Sequence, residues 1–416
     1  MNQENKFDPA RENPAENGTQ DAARSASPKD GFRETRLTDV LLKPDGEPLI
    51  LKQKTCSCRP GEISACEAAC LFEAIKRDEN NDVVITGNCT GCGECIAACP
   101  EQALAGRKDS LAVLQLLRDK KAPVYAMIAP AFSGQFSADV TSGKLRSAFK
   151  SMGFYGMIEV ALFADILTLK EALEFDREIR DDGDFVLTSC CCPVWIALIR
   201  KSYQAMIPHV PPSVSPMVAC GRSIKKIHPE ARTVFIGPCL AKKAEAREPD
   251  IADAVDYVLT FEEVAELFDL CGIRPETLEE DQSDHSSRAG RIYARAAGVS
   301  EAVQVTLDRL RPNRKIPLRA RHADGVVNCR NLLKELAEGT VSANFIEGMG
   351  CRGGCVGGPK SLIDPELARR EVDRYGGEAR VKTPADSPYV LDLLHMLGYE
   401  TVESLLDRDS NFTRNF

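Results

Sequence analysis

The chain of 416 residues carries 17 cysteines, and their spacing is the first chemical information in it. Eight fall between Cys56 and Cys99, three are consecutive at Cys190, Cys191 and Cys192, and Cys239, Cys351 and Cys355 follow in further motifs. An odd number cannot all pair, adjacent cysteines make poor disulfide partners, and a chain this long buries enough apolar surface to fold without staples. Thiolates in tight groups suit soft metal centres. The five histidines are scattered without HExxH-type spacing, which argues against a histidine-rich zinc or non-haem iron site. A formal net charge of −9 argues against general nucleic-acid binding. No signal-like apolar segment opens the sequence, and no apolar run reaches the length of a membrane span. The expectation is a soluble cytoplasmic protein, not inserted in a membrane, in a compartment where thiols stay reduced.

Cys89, Cys92, Cys95 and Cys99 form C-x2-C-x2-C-x3-C before Pro100, the spacing of bacterial ferredoxins. The first three wrap one face of a 4Fe–4S cubane, and the fourth reaches a different cluster. Gly91 and Gly93 let the loop bend close to the inorganic sulfides. Zinc ribbons want two separated CxxC pairs, which are absent here. Upstream, Cys56, Cys58, Cys66 and Cys70 form a distorted partner motif, with Leu71 where proline is usual. Crossed ligation assigns Cys56, Cys58, Cys66 and Cys99 to one cluster and Cys70, Cys89, Cys92 and Cys95 to the other. Two such clusters make a one-electron wire.

The remaining motifs call for a different scaffold. From about residue 120, strand-like runs alternate with amphipathic helical ones: PVYAMIAP (123–130), MIEVALF (157–163), DFVLTS (184–189), TVFIGP (233–238), VDYVLTF (255–261) and NFIEGM (344–349). This alternation predicts α/β layers. Gly272 is the expected stop for the helix after VDYVLTF. The Cys motifs TSCCCPVW, PCLAKKAE and EGMGCRGGCVGGP each follow a predicted strand, so they converge on the edge where α/β folds place their sites. Four or more thiolates from three strand ends could hold one cubane. Cys220, Cys271 and Cys329 lie singly in apolar helical contexts and read as small buried hydrophobes. Residues 1–34 read as a disordered tail, 35–108 as the two-cluster domain and 120–416 as the α/β domain. Residues 276–324 are polar, and their basic run from Arg309 to Arg321 reads as solvated surface loop. Short helices are expected between Tyr389 and Leu406.

Over about residues 36–400 the chain resembles the iron-only (FeFe) hydrogenases. TSCCCPVW resembles that family's TSC-C-P-x-W motif with one extra cysteine, PCLAKKAE its PC-x-x-K-K-x-E motif, and EGMGCRGGCVGGP its E-x-M-x-C-x-G-G-C motif. The tripled cysteine and the VGGP ending resemble a divergent subgroup. The resemblance implies an α+β ferredoxin-like domain followed by a two-lobed α/β catalytic domain with an H-cluster between the lobes. That cofactor is a 4Fe–4S cubane linked to a two-iron unit with CO, cyanide and azadithiolate ligands, inserted by maturation proteins. Carried over by position, the cubane ligands are Cys192, Cys239, Cys351 and Cys355, with Cys355 bridging to the two-iron unit. Cys191 is then the thiol that relays protons beside the bridging amine, or the extra Cys190 shifts that register by one.

Lys242 matches the lysine that hydrogen-bonds a cyanide, Met349 a methionine packed on the two-iron unit, and Ala129 and Pro130 a turn near the cyanides. Glu171 and Glu174 match proton-path glutamates; solvated helix carboxylates are the alternative. Several positions depart from the pattern: Pro211 stands at a path serine, Gly237 at the methionine of M-P-C, and Met217 at the glutamine of Pro-Gln. The segment 286–303 resembles S-G-A-G-x-I-F-G-x-T-G-G-V-x-E-A, with bulkier residues in its Gly-Thr-Gly-Gly part. The implied activity is reversible interconversion of H2 with protons and electrons, passed through two 4Fe–4S clusters to a soluble carrier, ferredoxin. A hydrogenase-like H2 sensor and a non-catalytic iron–sulfur assembly protein are the alternatives.

Overall fold

In the computed structural model, residues 48–416 are described, apart from 55, 57, 59–61, 80, 81, 189, 408 and 409. The expected tail 1–34 lies outside the described residues. The N-terminal region is built from pieces too short to stand alone: β1 (Ile50–Lys52), β2 (Ile75–Arg77), β3 (Val83–Ile85) and β4 (Leu104–Gly106), each of three residues. β1 pairs antiparallel with β4, and β2 with β3. Two five-residue helices, Ala65–Ala69 and Glu94–Ala98, each end at a cysteine, Cys70 and Cys99. The Cys70 sulfur accepts from the Ala74 N–H and the Cys99 sulfur from the Ala103 N–H, both at 3.3 Å. The two half-motifs are thus repeats of one local fold. Their shared core is small: Ile50, Ile75, Val83 and Leu104 around Cys66 and Cys95.

Seven strands follow: β5 (Val124–Ile128), β6 (Gly156–Glu159), β7 (Val186–Leu187), β8 (Arg232–Gly237), β9 (Tyr257–Thr260), β10 (Ala320–Asp324) and β11 (Phe345–Met349). They form two parallel sheets, ordered β6-β5-β8-β9 and β10-β11-β7. β5 and β11 are buried along their whole length, as parallel strands covered on both faces must be. The chain leaves β5 for β6 on one side and returns to β8 on the other, so the β5–β8 boundary is a topological switch point. The helix Phe261–Cys271 starts in a capping box between Thr260 and Glu263 and stops at Gly272 in the left-handed region (φ 66°), as expected.

Three expectations need correction. The run MIEVALF is only half strand: β6 ends at Glu159, and Ala161 opens an 18-residue helix, Ala161–Glu178. That helix is buried around most of its circumference, so its apolar pattern carries no period that would separate it from a buried strand. The basic run Arg309–Arg321 is not all loop: it begins in the helix Gly298–Leu310 and ends in β10. The basic run is partnered: Arg314 donates to Ile179 O at 2.7 Å at the C-terminus of the long helix and pairs with Asp176, and Arg311 also pairs with Asp176. Cys220 and Cys329 are buried, but Cys271 ends its helix exposed.

Candidate active site

The two parallel sheets aim their C-terminal ends at a common cavity. Ala129 and Pro130 reach it from the end of β5, Cys191 and Cys192 from beyond β7, Cys239 and Lys242 from beyond β8, and Met349, Cys351 and Cys355 from β11 and its following turn. Pro193 starts the helix Pro193–Ser202 and sets Cys192 at its N-cap, where the sulfur accepts the Gly350 N–H at 3.2 Å. Gly354 has φ 90°, and a Cβ there would lie 2.8 Å from Met349 Sδ and 2.6 Å from Ala296 N, so only glycine fits this wall. Lys242 is buried and paired with Glu245 at 2.5 Å. Burial opposes its charge, but Glu245 and the Cys191 and Cys239 thiols outweigh that and hold its pKa above the usual range.

Burial pushes the Cys239 thiol up to about 11 and Cys355 up to about 12, and it raises Cys191 and Cys351 as well. Metal binding to such thiols must therefore displace protons. Among the described residues no three His, Cys, Asp or Glu side chains converge as ligands of a single ion would. A ring of thiols around a roomy cavity fits a thiolate-bound cluster, the chemistry soft sulfur donors select.

A second, smaller cavity lies in the N-terminal region, and its thiols are Cys70, Cys89, Cys92 and Cys95. Burial pushes Cys92 up to about 11 and Cys95 up to about 12. Cys58 is raised by burial and by its neighbour Cys56, with Cys66 also acting on it. The ferredoxin-type loop leans on the larger cavity. A Cβ on Gly91 (φ 72°) would lie 3.1 Å from the Ala241 backbone, and one on Gly93 (φ 85°) 2.6 Å from Pro359. Cys92 is close enough to act on the Cys351 thiol. The two cavities are therefore neighbours.

Residues 122–359 match the family described as iron only hydrogenase large subunit, C-terminal domain, and residues 82–105 match a 4Fe-4S binding domain. The chain belongs to the iron-only hydrogenase large-subunit family. It is 27% identical over 365 residues to the NADP-reducing hydrogenase subunit HndD of Solidesulfovibrio fructosivorans, covering 73% of this chain and 62% of that protein. It is 27% identical over 284 residues to iron hydrogenase 1 of Clostridium pasteurianum, covering 58% and 49%. At 26% identity over 314 residues it also matches the cytosolic iron-sulfur assembly component 3 of Bos taurus, covering 62% and 66%. The chain thus spans about half to two thirds of the length of these relatives. Among solved structures, the one titled "Stepwise [FeFe]-hydrogenase H-cluster assembly revealed in the structure of HydA(deltaEFG)" superposes with a TM-score of 0.59 at 19% identity, covering 74% of this chain and 99% of that one. The fold is that of the FeFe-hydrogenase catalytic domain behind a ferredoxin-like region. No helix among the described residues is long and apolar enough to cross a membrane.

Within this hydrogenase-type scaffold, Glu171 and Glu174 are not solvated: they are 3% and 2% exposed on the helix Ala161–Glu178. Glu171 accepts from the Thr188 hydroxyl and, at 3.7 Å, from the Cys190 thiol. Burial, helped by Glu174, pushes its carboxyl up to about 7. Cys190, to which the sequence assigned no role, is therefore the thiol on Glu171, while Cys191 faces the cavity. Glu174 pairs with the buried Lys170 and accepts from Ser213 Oγ at 3.2 Å; Lys170 Nζ in turn donates to Ser213 Oγ at 2.7 Å. Burial raises the Glu174 carboxyl against the opposing pull of Lys170. Ser213, two residues beyond Pro211, thus brings a hydroxyl to the carboxylate that the proline cannot serve. Sequence reasoning missed Ser213, Lys170, Thr188 and Tyr293, which also lines the cavity. For Tyr293 there was a signal: it stands where the resembled loop pattern has phenylalanine.

Proposed function

We propose that this chain is an iron-only hydrogenase that interconverts H2 with protons and electrons at an H-cluster. The observation that carries this reading is one cavity ringed by Cys192, Cys239, Cys351 and Cys355, with Lys242 and Met349 at its wall, and beside Cys191 the Cys190 thiol on the buried Glu171 carboxyl. Those four cysteines would hold the cluster, Lys242 would donate to an anionic ligand, and Met349, Ala129 and Pro130 would pack on it. The bound H-cluster supplies the redox chemistry of H2. The chain supplies a dry wall and groups that hold protons: the Cys191 thiol at the cavity, then the Cys190 thiol, the Glu171 carboxyl and, further along the same helix, Glu174. Cys56, Cys58, Cys66 and Cys99, and Cys70, Cys89, Cys92 and Cys95, would hold two 4Fe–4S clusters that pass electrons to ferredoxin in the cytoplasm, and maturation proteins would load the two-iron unit. The adjacency of Cys92 and Cys351 supports that electron route.

Infrared spectroscopy of the matured protein under H2, with activity assayed in both directions, tests the reading. Carbonyl and cyanide bands with turnover are expected, and their absence after maturation rejects it. A second reading, iron–sulfur assembly, is favoured by the relatives named for cytosolic iron–sulfur assembly, whose identity is similar to that of the hydrogenases. Against it stand the run Cys190–Cys192, Lys242 and the paired cysteines of the last motif, all kept at the cavity or on Glu171. Cluster transfer to an acceptor apoprotein, without H2 turnover, is the result that reading expects.

A further inference from the structure

Tyr293 is 4% exposed and lines the same cavity as Cys191, Lys242 and Met349. Its hydroxyl makes no hydrogen bond of normal geometry, but Glu171 and Thr168 lie within its reach. The groups that bear on it most strongly, besides burial, are Glu171, Cys191 and Cys190. The backbone that carries the ring is held in place. It sits in the short turn Ile292–Ala294, tied to the helix that carries Glu171: Asp165 accepts the Ser287 N–H at 2.6 Å and the Gly290 N–H at 2.8 Å. The approach is so close that a Cβ on Gly290 would lie 2.1 Å from Ala161 O. A buried phenol O–H without a well-formed bond is costly, and this one stands between the cavity and the Glu171 carboxylate, to which it can donate. A phenol also donates and accepts at one atom, and burial keeps this one neutral.

We propose that Tyr293 is a proton-carrying residue of this site, a second entry to Glu171 beside the Cys190 thiol. The inference rests on the hydrogenase reading above. Oη takes a proton from a protonated amine or thiol on the cavity side as its own proton passes to a Glu171 carboxylate oxygen. One O–H bond forms at Oη as another breaks, the phenol is neutral before and after, and no electrons move. In the opposite direction the same two bonds exchange roles. The tyrosine gives Glu171 access to the cavity that does not depend on the orientation of Cys190, whose single S–H also points at Val214 O, 3.3 Å away.

Tyr293→Phe removes only the hydroxyl and keeps the ring. The first readout needs no turnover: the infrared carboxylic-acid C=O band of Glu171, followed across pH in the full chain before the two-iron unit is loaded. The band is assigned by its loss in Glu171→Gln. In Tyr293→Phe it is expected at higher frequency, with its titration midpoint moved to higher pH, because a donor to the carboxylate is gone. The other groups facing Glu171 (Thr188, Cys190, Glu174 and Lys170) are unchanged. In the matured protein the same variant is expected to slow turnover about tenfold with carbonyl and cyanide bands intact. An unchanged Glu171 band, in a chain that acquires carbonyl and cyanide bands on maturation, overturns this proposal alone, as does a turnover loss that appears only where those bands are lost. Absence of the bands from mature wild-type protein overturns the hydrogenase reading and this proposal with it.

Discussion

Around Cys70, Cys89, Cys92 and Cys95, three-residue strands and five-residue helices line one cavity; around Cys192, Cys239, Cys351 and Cys355, two parallel sheets and helices of up to 18 residues line a larger one. Both sites are lined by thiols whose pKa burial has raised. They differ in what holds them open. The N-terminal region has a handful of apolar side chains for a core, so bound metal must supply most of what keeps it folded. The larger cavity is flanked by extensive cores, among them one built on β5, β8 and the long helix and another on Trp195 and the helix Pro193–Ser202. The comparison teaches that a region with so small a core would depend on the clusters it binds, whereas the other has extensive cores of its own.

The largest effect that could break this contrast is iron removal. Chelation is expected to abolish protection of the N-terminal region in hydrogen exchange while leaving β5, β8 and β11 protected. Equal loss in both regions would reject the idea of a prebuilt cavity. Next, Glu171→Gln is expected to lower turnover about a hundredfold in the matured protein without loss of cluster iron. With the Glu171 carboxyl at about 7, it holds its proton below that pH and has released it above. H2 production should therefore fall as pH rises through about 7, and H2 oxidation should fall as pH drops through it; a turnover profile flat across neutral pH would remove Glu171 from the path.

A smaller effect concerns the brace beneath Tyr293. Burial pushes Asp165 up to about 7, against the hydrogen bonds from Ser287 and Gly290 that favour its charged form. The folded protein holds this proton more tightly than the unfolded chain does, so stability should decline as pH rises from about 4, the ordinary carboxylate value, to about 7. Asp165→Asn should remove that slope from thermal denaturation while costing about 1–3 kcal/mol for the mismatched hydrogen bonds. Smallest is Gly93→Ala, at the junction of the two regions. Its left-handed backbone and the contact with Pro359 predict a cost of about 1–3 kcal/mol, seen as a lower melting temperature, and slower electron transfer between clusters in stopped-flow reduction.

Much of the scaffold was legible in the chain. The apolar runs at 124–128, 232–237 and 345–349 are strands, and each cysteine motif follows a strand end as expected. Errors fell where burial erases pattern. The run from Met157 to Phe163 changes from strand to a helix buried on nearly all sides, so neither alternation nor a helical stripe marks the change. Arg311 and Arg314 look like solvent-facing charge until Asp176 and the carbonyl end of the long helix appear beside them. The carboxylates could be found by resemblance to the family, but whether they face water could not be read from the sequence.

What the sequence determined by itself is the number of thiols, their spacing and the strand ends that carry them, because ligand spacing within a loop is a local property of the chain. Only the tertiary structure decided that Glu171 and Glu174 are buried, that Cys190 rather than Cys191 touches Glu171, and that Ser213 reaches the carboxylate Pro211 cannot serve. It also set the two cavities side by side through Gly91 and Gly93. Those properties depend on which distant segment packs against a side chain and excludes water from it. Ser213 lies 39 residues from Glu174, and no local pattern records that they meet.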